Sequence, residues 1–175
     1  SNTPRDSAKK KTNARLSAIR GALRGLTAVS PALASNAAGA LFRLAPRHRT
    51  SEAEQRALAS ARHAKVTTAA GDSISTWEWG DGPRVLLVHG WGSRGARLTS
   101  FLAPLLDAGF SVVTFDAPGH GASAGRLSSA PQFVRTIEAV AAHYGPFQAA
   151  IAHSMGGCAT ALAMRRGLIL GVVES

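Results

Sequence analysis

Three apolar runs, each followed at once by a glycine-rich polar motif, constrain the fold of this chain more than any other feature of its sequence. Arg84–Val88 precedes HGWGS, Phe110–Phe115 precedes DAPGHGAS, and the run ending at Ile151 precedes AHSMGG. Continuous apolar runs of this length are typical of strands that are buried on both faces. Helical patterns of apolar residues lie between the runs, and one further run, Leu168–Val173, follows the last helix.

This alternation of strand and helix predicts an α/β fold. Parallel strands joined by right-handed crossovers place helices on both faces of a doubly wound, mostly parallel sheet. Functional sites in such sheets form beyond the carboxyl ends of the strands, which is where the three motifs lie. Upstream, the pattern predicts a helix over Ser51–Lys65 that begins with a capping box of Ser51 and Glu54. Two short strands are predicted after it, at Lys65–Thr68 and Ile74–Trp79.

Charge divides the chain into two parts. Residues 1–65 carry 13 Lys and Arg against 3 Asp and Glu, whereas residues 66–175 carry 7 against 7, so the first part holds the whole net charge of +10. We therefore predict a basic, partly helical N-terminal extension over residues 1–65 and one α/β domain over residues 66–175. A nucleic-acid reader usually combines basic residues with a known motif or aromatics on its folded surface. That combination is missing here, so we expect no nucleic-acid partner.

The extension contains an amphipathic segment at residues 11–26. Basic side chains flank a helical stripe of four apolar residues: Leu16, Ile19, Leu23 and Leu26. Such a helix can lie on an anionic membrane surface or act as a targeting segment, or it can pack against the domain with its basic edge in water. The pattern leaves all three open. No stretch approaches the ~20 uninterrupted apolar residues of a membrane span.

The single cysteine, Cys158, excludes an intrachain disulfide and fits a reducing compartment. We therefore expect a cytoplasmic protein, with or without peripheral membrane contact. Neither a Cys and His cluster at metal-ligand spacing nor a phosphate-binding glycine loop ending in Lys-Ser or Lys-Thr occurs. No metal and no cofactor are expected.

Ser154, in AHSMGG, is the strongest candidate for chemistry. A serine between small residues, at a turn from strand to helix, is how one class of enzymes presents its nucleophile. Ala152 and Gly156 leave room for neighbouring backbone, and the N-terminus of the following helix favours negative charge. The alternative is a simple helix-capping serine, which the order of the three motifs disfavours. His89 and His153 are candidate bases, but both occupy positions that shape the backbone.

Together, VLLVHGWGS, VVTFDAPGHGAS and IAHSMGG resemble the α/β-hydrolase fold superfamily over roughly Val66–Val173. The resemblance implies a serine hydrolase acting on an ester or related acyl bond of a small molecule. It implies Ser154 as the nucleophile, with the backbone N–H groups of Met155 and Trp91 forming the oxyanion hole. Ala152 stands where the motif usually has glycine, a mild departure because the position stays small.

A second departure concerns the partners of the serine. In this superfamily an acid and then a histidine follow the nucleophile along the chain. No histidine follows Ser154 here, and the only later acid is Glu174. Glu174 is a candidate acid by its position after the sixth strand, the alternative being a solvated residue at the chain end.

We therefore predict the N-terminal part of an α/β-hydrolase domain, truncated after about the sixth strand and nearly inactive on its own. The alternative function is a non-catalytic binding or interaction module on a hydrolase scaffold, because fold alone does not decide function. Leu168–Val173 would form an exposed apolar edge strand through which the chain could self-associate.

Overall fold

The computed structural model describes residues 4–167, which form six α-helices, one 3-10 helix and five β-strands. The helices are α1 (Pro4–Val29), α2 (Pro31–Arg43), α3 (Glu52–Ala59), the 3-10 helix Gly95–Phe101, α4 (Leu102–Asp107), α5 (Ala130–Tyr144) and α6 (Met155–Arg165). The strands are β1 (Arg62–Thr67), β2 (Ser73–Trp79), β3 (Arg84–Val88), β4 (Ser111–Phe115) and β5 (Ala149–Ala152). Glu174 and the predicted strand Leu168–Val173 lie outside the described residues.

The described residues fall into two compact units, divided between Arg43 and Leu44. The first unit is the helix pair of α1 and α2, each of which begins at a proline, a residue pre-organised for the first turn of a helix. The predicted amphipathic segment, residues 11–26, lies within α1. Ala34 is the buried hydrophobic residue of this pair among the side chains that the structure describes.

The second unit begins earlier than the boundary at residues 65 and 66 that charge predicts. Helix α3 packs against the 3-10 helix, and the indole N–H of Trp79 donates to the carbonyl of Ala57 at 3.0 Å. Strand β1 pairs with β2 along its whole length. Charge fails as a boundary marker because it reports which side chains face water, whereas the boundary depends on which side chains pack.

The predicted helix over Ser51–Lys65 is also shorter than expected. Its capping box is confirmed, since Ser51 Oγ accepts from the N–H of Glu54 at 3.3 Å and the Glu54 carboxylate accepts from the N–H of Ser51 at 2.7 Å. Helix α3 nevertheless ends at Ala59, because the chain from Arg62 onward is drawn into the edge of the sheet.

The sheet has the strand order β1-β2-β4-β3-β5 and is mixed. β3 is parallel to both β4 and β5, as the alternation of strand and helix predicts, whereas β2 is antiparallel to both β1 and β4. The described strands thus form two parallel and two antiparallel pairs. β1 and β2 are joined by a tight turn at Gly71, where φ is 83°, and so short a connection cannot carry a parallel crossover.

Both faces of the sheet are covered, which explains the continuous apolar runs. Alternate residues of β3 point to opposite sides, so Leu86 and Val88 belong to a core with helices α5 and α6, while Val85 and Leu87 belong to a core with α4 and strand β2. The first core is built on three fully buried phenylalanines: Phe115, Phe133 and Phe147. This packing fixes the carboxyl ends of β3, β4 and β5 side by side.

A buried ion pair connects α3 to the segment that follows β3. Arg94 Nη2 lies 2.5 Å from Glu54 Oε2, with the two side chains only 7% and 9% exposed. The same guanidinium donates to the carbonyls of His48 and Arg49. Burial raises the pKa of Glu54, but the hydrogen bonds from Arg94 and Ser51 outweigh burial and hold that pKa below its usual range. Glu54 is therefore ionised at neutral pH and compensates the charge of Arg94.

We expect Glu54→Gln to destabilise the fold by about 3–5 kcal/mol, because it leaves the buried guanidinium of Arg94 without a countercharge. Glu52→Gln is the matched control on the same helix. The Glu52 carboxylate is 91% exposed and lies 3.9 Å from Arg56, so its loss should leave stability unchanged. Urea unfolding of both variants measures the difference. Equal denaturation midpoints would contradict this role for the pair.

Candidate active site

Ser154 lies at the turn between β5 and α6, with φ 53° and ψ −119°. Among the described residues it is the one non-glycine with positive φ. A left-handed backbone at a side-chain-bearing residue costs of order 1–3 kcal/mol and persists only where the surroundings enforce it. The Ser154 side chain makes no capping hydrogen bond to α6, so this geometry does not support the helix-capping alternative. Ser154 is exposed at the end of the strand.

Two glycines allow the backbone to pass close to this turn. A Cβ at Gly156 would lie 2.5 Å from the carbonyl oxygen of His89 and 2.7 Å from that of Val88. A Cβ at Gly90 would lie 3.1 Å from Cβ of Ser154 and 2.9 Å from Nδ1 of His153. The HGWGS segment therefore runs directly against the turn that carries Ser154, as the small residues of both motifs predict.

The two predicted oxyanion-hole residues flank this contact. Met155 is the first residue of α6, so its N–H is one of the amides that a helix leaves without an intrahelical partner. Trp91 follows Gly90 and is half-buried, with its ring edge-on to that of His120 at a centroid distance of 5.5 Å. The structure thus brings the loop of Trp91 and the start of α6 together at Ser154.

His89 and His120 join the two loops by exchanging hydrogen bonds. His89, in HGWGS, accepts the N–H of Ala117 on Nε2 at 3.0 Å. His120, in DAPGHGAS, accepts the N–H of Gly92 on Nε2 at 3.0 Å. We call this pair of bonds the histidine clasp. Each ring also contacts a carbonyl of its own loop through Nδ1, at Gly90 for His89 (2.8 Å) and at Pro118 for His120 (3.0 Å).

The clasp requires both rings to be neutral. An Nε2 that accepts an N–H carries no proton, so Nδ1 holds the ring proton and donates to the carbonyl. Burial lowers the pKa of His89 to about 3, and burial likewise lowers the pKa of His120. His89 is therefore unsuited to act as the base for Ser154, because both of its ring nitrogens are engaged.

Asp116 reinforces the same junction. Its Oδ1 accepts from the N–H of Gly95 and its Oδ2 from the N–H of Ala122, both at 2.7 Å. The second bond closes the glycine-rich turn on itself. The first bond, to the segment after HGWGS, was not predictable from spacing. Burial raises the pKa of this carboxyl, and the two backbone donors counteract that rise.

Arg47 is a positioning residue that sequence patterns did not reveal. Its Nε donates to the carbonyl of Gly119 at 3.2 Å, and its Nη2 donates to those of Ser123 at 2.8 Å and Gly125 at 2.9 Å. One guanidinium therefore binds two carbonyls of DAPGHGAS and a third just after the motif, at Gly125. The available signal was weak, because Arg47 lies in a basic stretch where an arginine is usually solvated.

Two sequence candidates remain, His153 and Glu174. His153 is exposed, and its backbone N–H donates to the carbonyl of Val88 at 2.9 Å. Glu174 lies outside the described residues, so its role as the acid stays a prediction. Within residues 4–167, no three His, Cys, Asp or Glu side chains are grouped to hold a metal ion.

The profile of the Alpha/beta hydrolase family matches residues 85–174. The chain belongs to this family. It is 33% identical over 95 residues to a non-heme haloperoxidase of Rhodococcus erythropolis, a match that covers 53% of this chain and 35% of the relative. It is 48% identical over 44 residues to a pimeloyl-[acyl-carrier protein] methyl ester esterase of Methylococcus capsulatus, covering 25% of this chain and 17% of that protein.

Solved structures agree with the family assignment. The thioesterase domain from the curacin biosynthetic pathway superposes with a TM-score of 0.56 at 28% identity, covering 63% of this chain and 42% of that domain. The α/β-hydrolase type of fold is thereby confirmed. The chain spans about a third of the first curated relative and less than half of the thioesterase domain. The activities for which these relatives are named differ, so family membership alone does not select a reaction.

The glycines at the Ser154 turn provide a matched pair of substitutions. We expect Gly156→Ala to destabilise the fold by about 1–3 kcal/mol, because the new Cβ overlaps two carbonyl oxygens. Gly157→Ala meets no atom within 4 Å, and alanine is the better helix former by up to about 1 kcal/mol. It should be neutral or stabilising. Thermal unfolding tests both variants, and equal loss in the two would show that the close approach is unimportant.

Because the clasp requires His120 to be neutral, we expect the loss of folding stability caused by His120→Gln to depend on pH. Wild-type His120 takes up a proton on unfolding below about pH 6.5, because its pKa is lower in the folded state. The variant does not, so the destabilisation caused by His120→Gln should shrink as pH falls from 7 to about 5, by up to about 1.4 kcal/mol per pH unit. Asp116 titrates in both proteins, so its contribution to the pH dependence of stability largely cancels when the two are compared.

Urea unfolding at several pH values measures this gap. His143→Gln is the matched control, because it removes an exposed histidine on α5 that takes no part in the clasp. A gap for His120→Gln that stays constant or widens on acidification would show that His120 is not held neutral by the fold.

Proposed function

We propose that this chain carries the nucleophile and the oxyanion hole of a serine hydrolase that acts on an ester or related acyl bond of a small molecule. The observation that carries the proposal is the backbone of Ser154, which has positive φ and no capping hydrogen bond. A strained, exposed serine at the end of a parallel strand is what a nucleophile requires. The methyl ester esterase and the thioesterase domain among the similar proteins support an acyl bond as the target.

In the proposed reaction, Ser154 Oγ attacks the carbonyl carbon of the acyl group while a general base removes the hydroxyl proton. The carbonyl π electrons move to oxygen, and the N–H groups of Met155 and Trp91 stabilise the resulting oxyanion. The intermediate then collapses and expels the alcohol, which takes up the proton from the base. Water attacks the acyl-serine in the same manner and releases the acid.

The base in this proposal does not come from the described part of the chain. His89 and His120 are neutral and engaged on both ring nitrogens, and within residues 4–167 no side chain forms a hydrogen bond with Ser154 Oγ. Loss of a triad base reduces turnover by several orders of magnitude. We therefore expect the 175-residue chain alone to hydrolyse esters very slowly.

Imidazole added from solution tests this directly, because it can replace a missing base. With p-nitrophenyl acetate, we expect imidazole to increase release of p-nitrophenol by the 175-residue chain and to produce an acyl adduct on Ser154, detected by mass spectrometry. Ser154→Ala should lose the adduct and the protein-dependent part of the rate. Ser100→Ala is the control, since Ser100 is exposed on the 3-10 helix, away from the three motifs.

Two outcomes contradict the proposal in different ways. Fast, Ser154-dependent hydrolysis without imidazole would mean that the base lies within this chain. Protein-dependent hydrolysis that survives Ser154→Ala, or small-molecule binding that is indifferent to this substitution with no adduct formed, would favour the alternative of a binding module.

A further inference from the structure

Helices α1 and α2 expose apolar side chains that take no part in the proposed reaction of Ser154. At the turn between the two helices, Val29 is 84% exposed and Leu33 is 56% exposed. Earlier in α1, Leu16 and Ile19 are 50% and 40% exposed. We call these four residues the apolar surface of the pair. Large exposed apolar side chains rimmed by polar residues commonly mark a contact with a membrane or another partner.

The charge around this surface has one sign. The sequence has no acidic residue between Asp6 and Glu52, whereas the same stretch contains nine Lys and Arg. Arg20 and Arg24 are exposed on α1, and Arg20 is four residues from Leu16, which places the two on neighbouring turns of one face. Their long side chains can lie along an apolar surface while the guanidinium groups reach outward.

From this arrangement we propose that α1 and α2 form a docking unit for an anionic phospholipid membrane. The apolar surface would enter the boundary between headgroups and acyl chains, and the arginines would contact the headgroup phosphates. None of the described helices is both long and apolar enough to cross a bilayer. The proposed contact is therefore peripheral. It extends the amphipathic segment at residues 11–26 to include the turn between the helices and the start of α2.

The exposed apolar residues favour a membrane over a nucleic acid as the partner. Phosphate backbones of nucleic acids are bound by basic and polar groups, and binding to them gains nothing from Val29 or Leu33. A lipid bilayer uses both features, since burial of the apolar side chains adds to the attraction between arginine and headgroup phosphate. The contributions of the two kinds of residue can be measured separately.

The test is co-sedimentation of the 175-residue chain with vesicles of phosphatidylcholine alone and of an equimolar mixture with phosphatidylglycerol. We expect binding to the mixed vesicles that weakens with added salt. Arg20→Gln with Arg24→Gln should reduce the partition coefficient roughly fivefold per arginine. Val29→Gln with Leu33→Gln should reduce it on the order of tenfold or more.

Matched controls remove exposed arginines and exposed apolar side chains outside α1 and α2. Arg56→Gln with Arg165→Gln deletes two exposed arginines, and Leu162→Gln with Met164→Gln replaces two apolar residues of α6 that are 43% and 47% exposed. Both controls should bind as the wild type does, and far-UV circular dichroism should show unchanged helix content in every variant.

Three results would overturn the proposal. The first is equal binding to neutral and mixed vesicles, or none. The second is that the variant with Val29→Gln and Leu33→Gln still binds the mixed vesicles and that duplex DNA competes with the vesicles for the protein, which indicates a nucleic-acid surface. The third is a concentration-dependent dimer that this variant abolishes without any vesicle binding, which indicates a contact between two copies.

Discussion

The histidine clasp is the interaction on which the arrangement of the candidate site depends. It joins the loop after β3 to the loop after β4 by two backbone hydrogen bonds, each accepted by a buried ring on the opposite loop. Neither loop has regular secondary structure at these positions that would fix its place relative to the other. Asp116 adds a third cross-connection through the N–H of Gly95. Without these acceptors, several buried amides would lose their partners, at a cost of about 1–3 kcal/mol each.

The clasp also determines the electrostatic character of the site. Because His89 and His120 are neutral, they place no cation next to Ser154. In the proposed reaction, negative charge that develops there would be stabilised by oriented N–H dipoles at the start of α6 and in the HGWGS loop. Such groups are fixed by the fold before any substrate binds, so little reorganisation accompanies the development of charge.

The sequence predicted those parts of the fold that repeat a local pattern. Strands β3, β4 and β5, the helices between them and the tight turn at Ser154 follow from apolar runs and small residues. The antiparallel pairing of β2 with β4 did not follow, because strand order depends on contacts between distant segments. The boundary at Arg43 was missed because basic residues continue beyond it. Arg47 was missed because nothing local distinguishes an arginine that binds carbonyls from one in water.

A single carboxylate oxygen, Oε2 of Glu54, accepts both from the N–H of Ser51 and from Arg94 Nη2. Helix α3 and the loop behind HGWGS therefore have a common hydrogen-bond acceptor. If the first turn of α3 unfolds, the Glu54 carboxylate moves away from Arg94. The buried guanidinium then remains as an uncompensated charge, which is strongly destabilising. Local opening of this surface helix is thus coupled to opening of the loop behind HGWGS, so that the two segments should exchange their amide hydrogens as one cooperative unit.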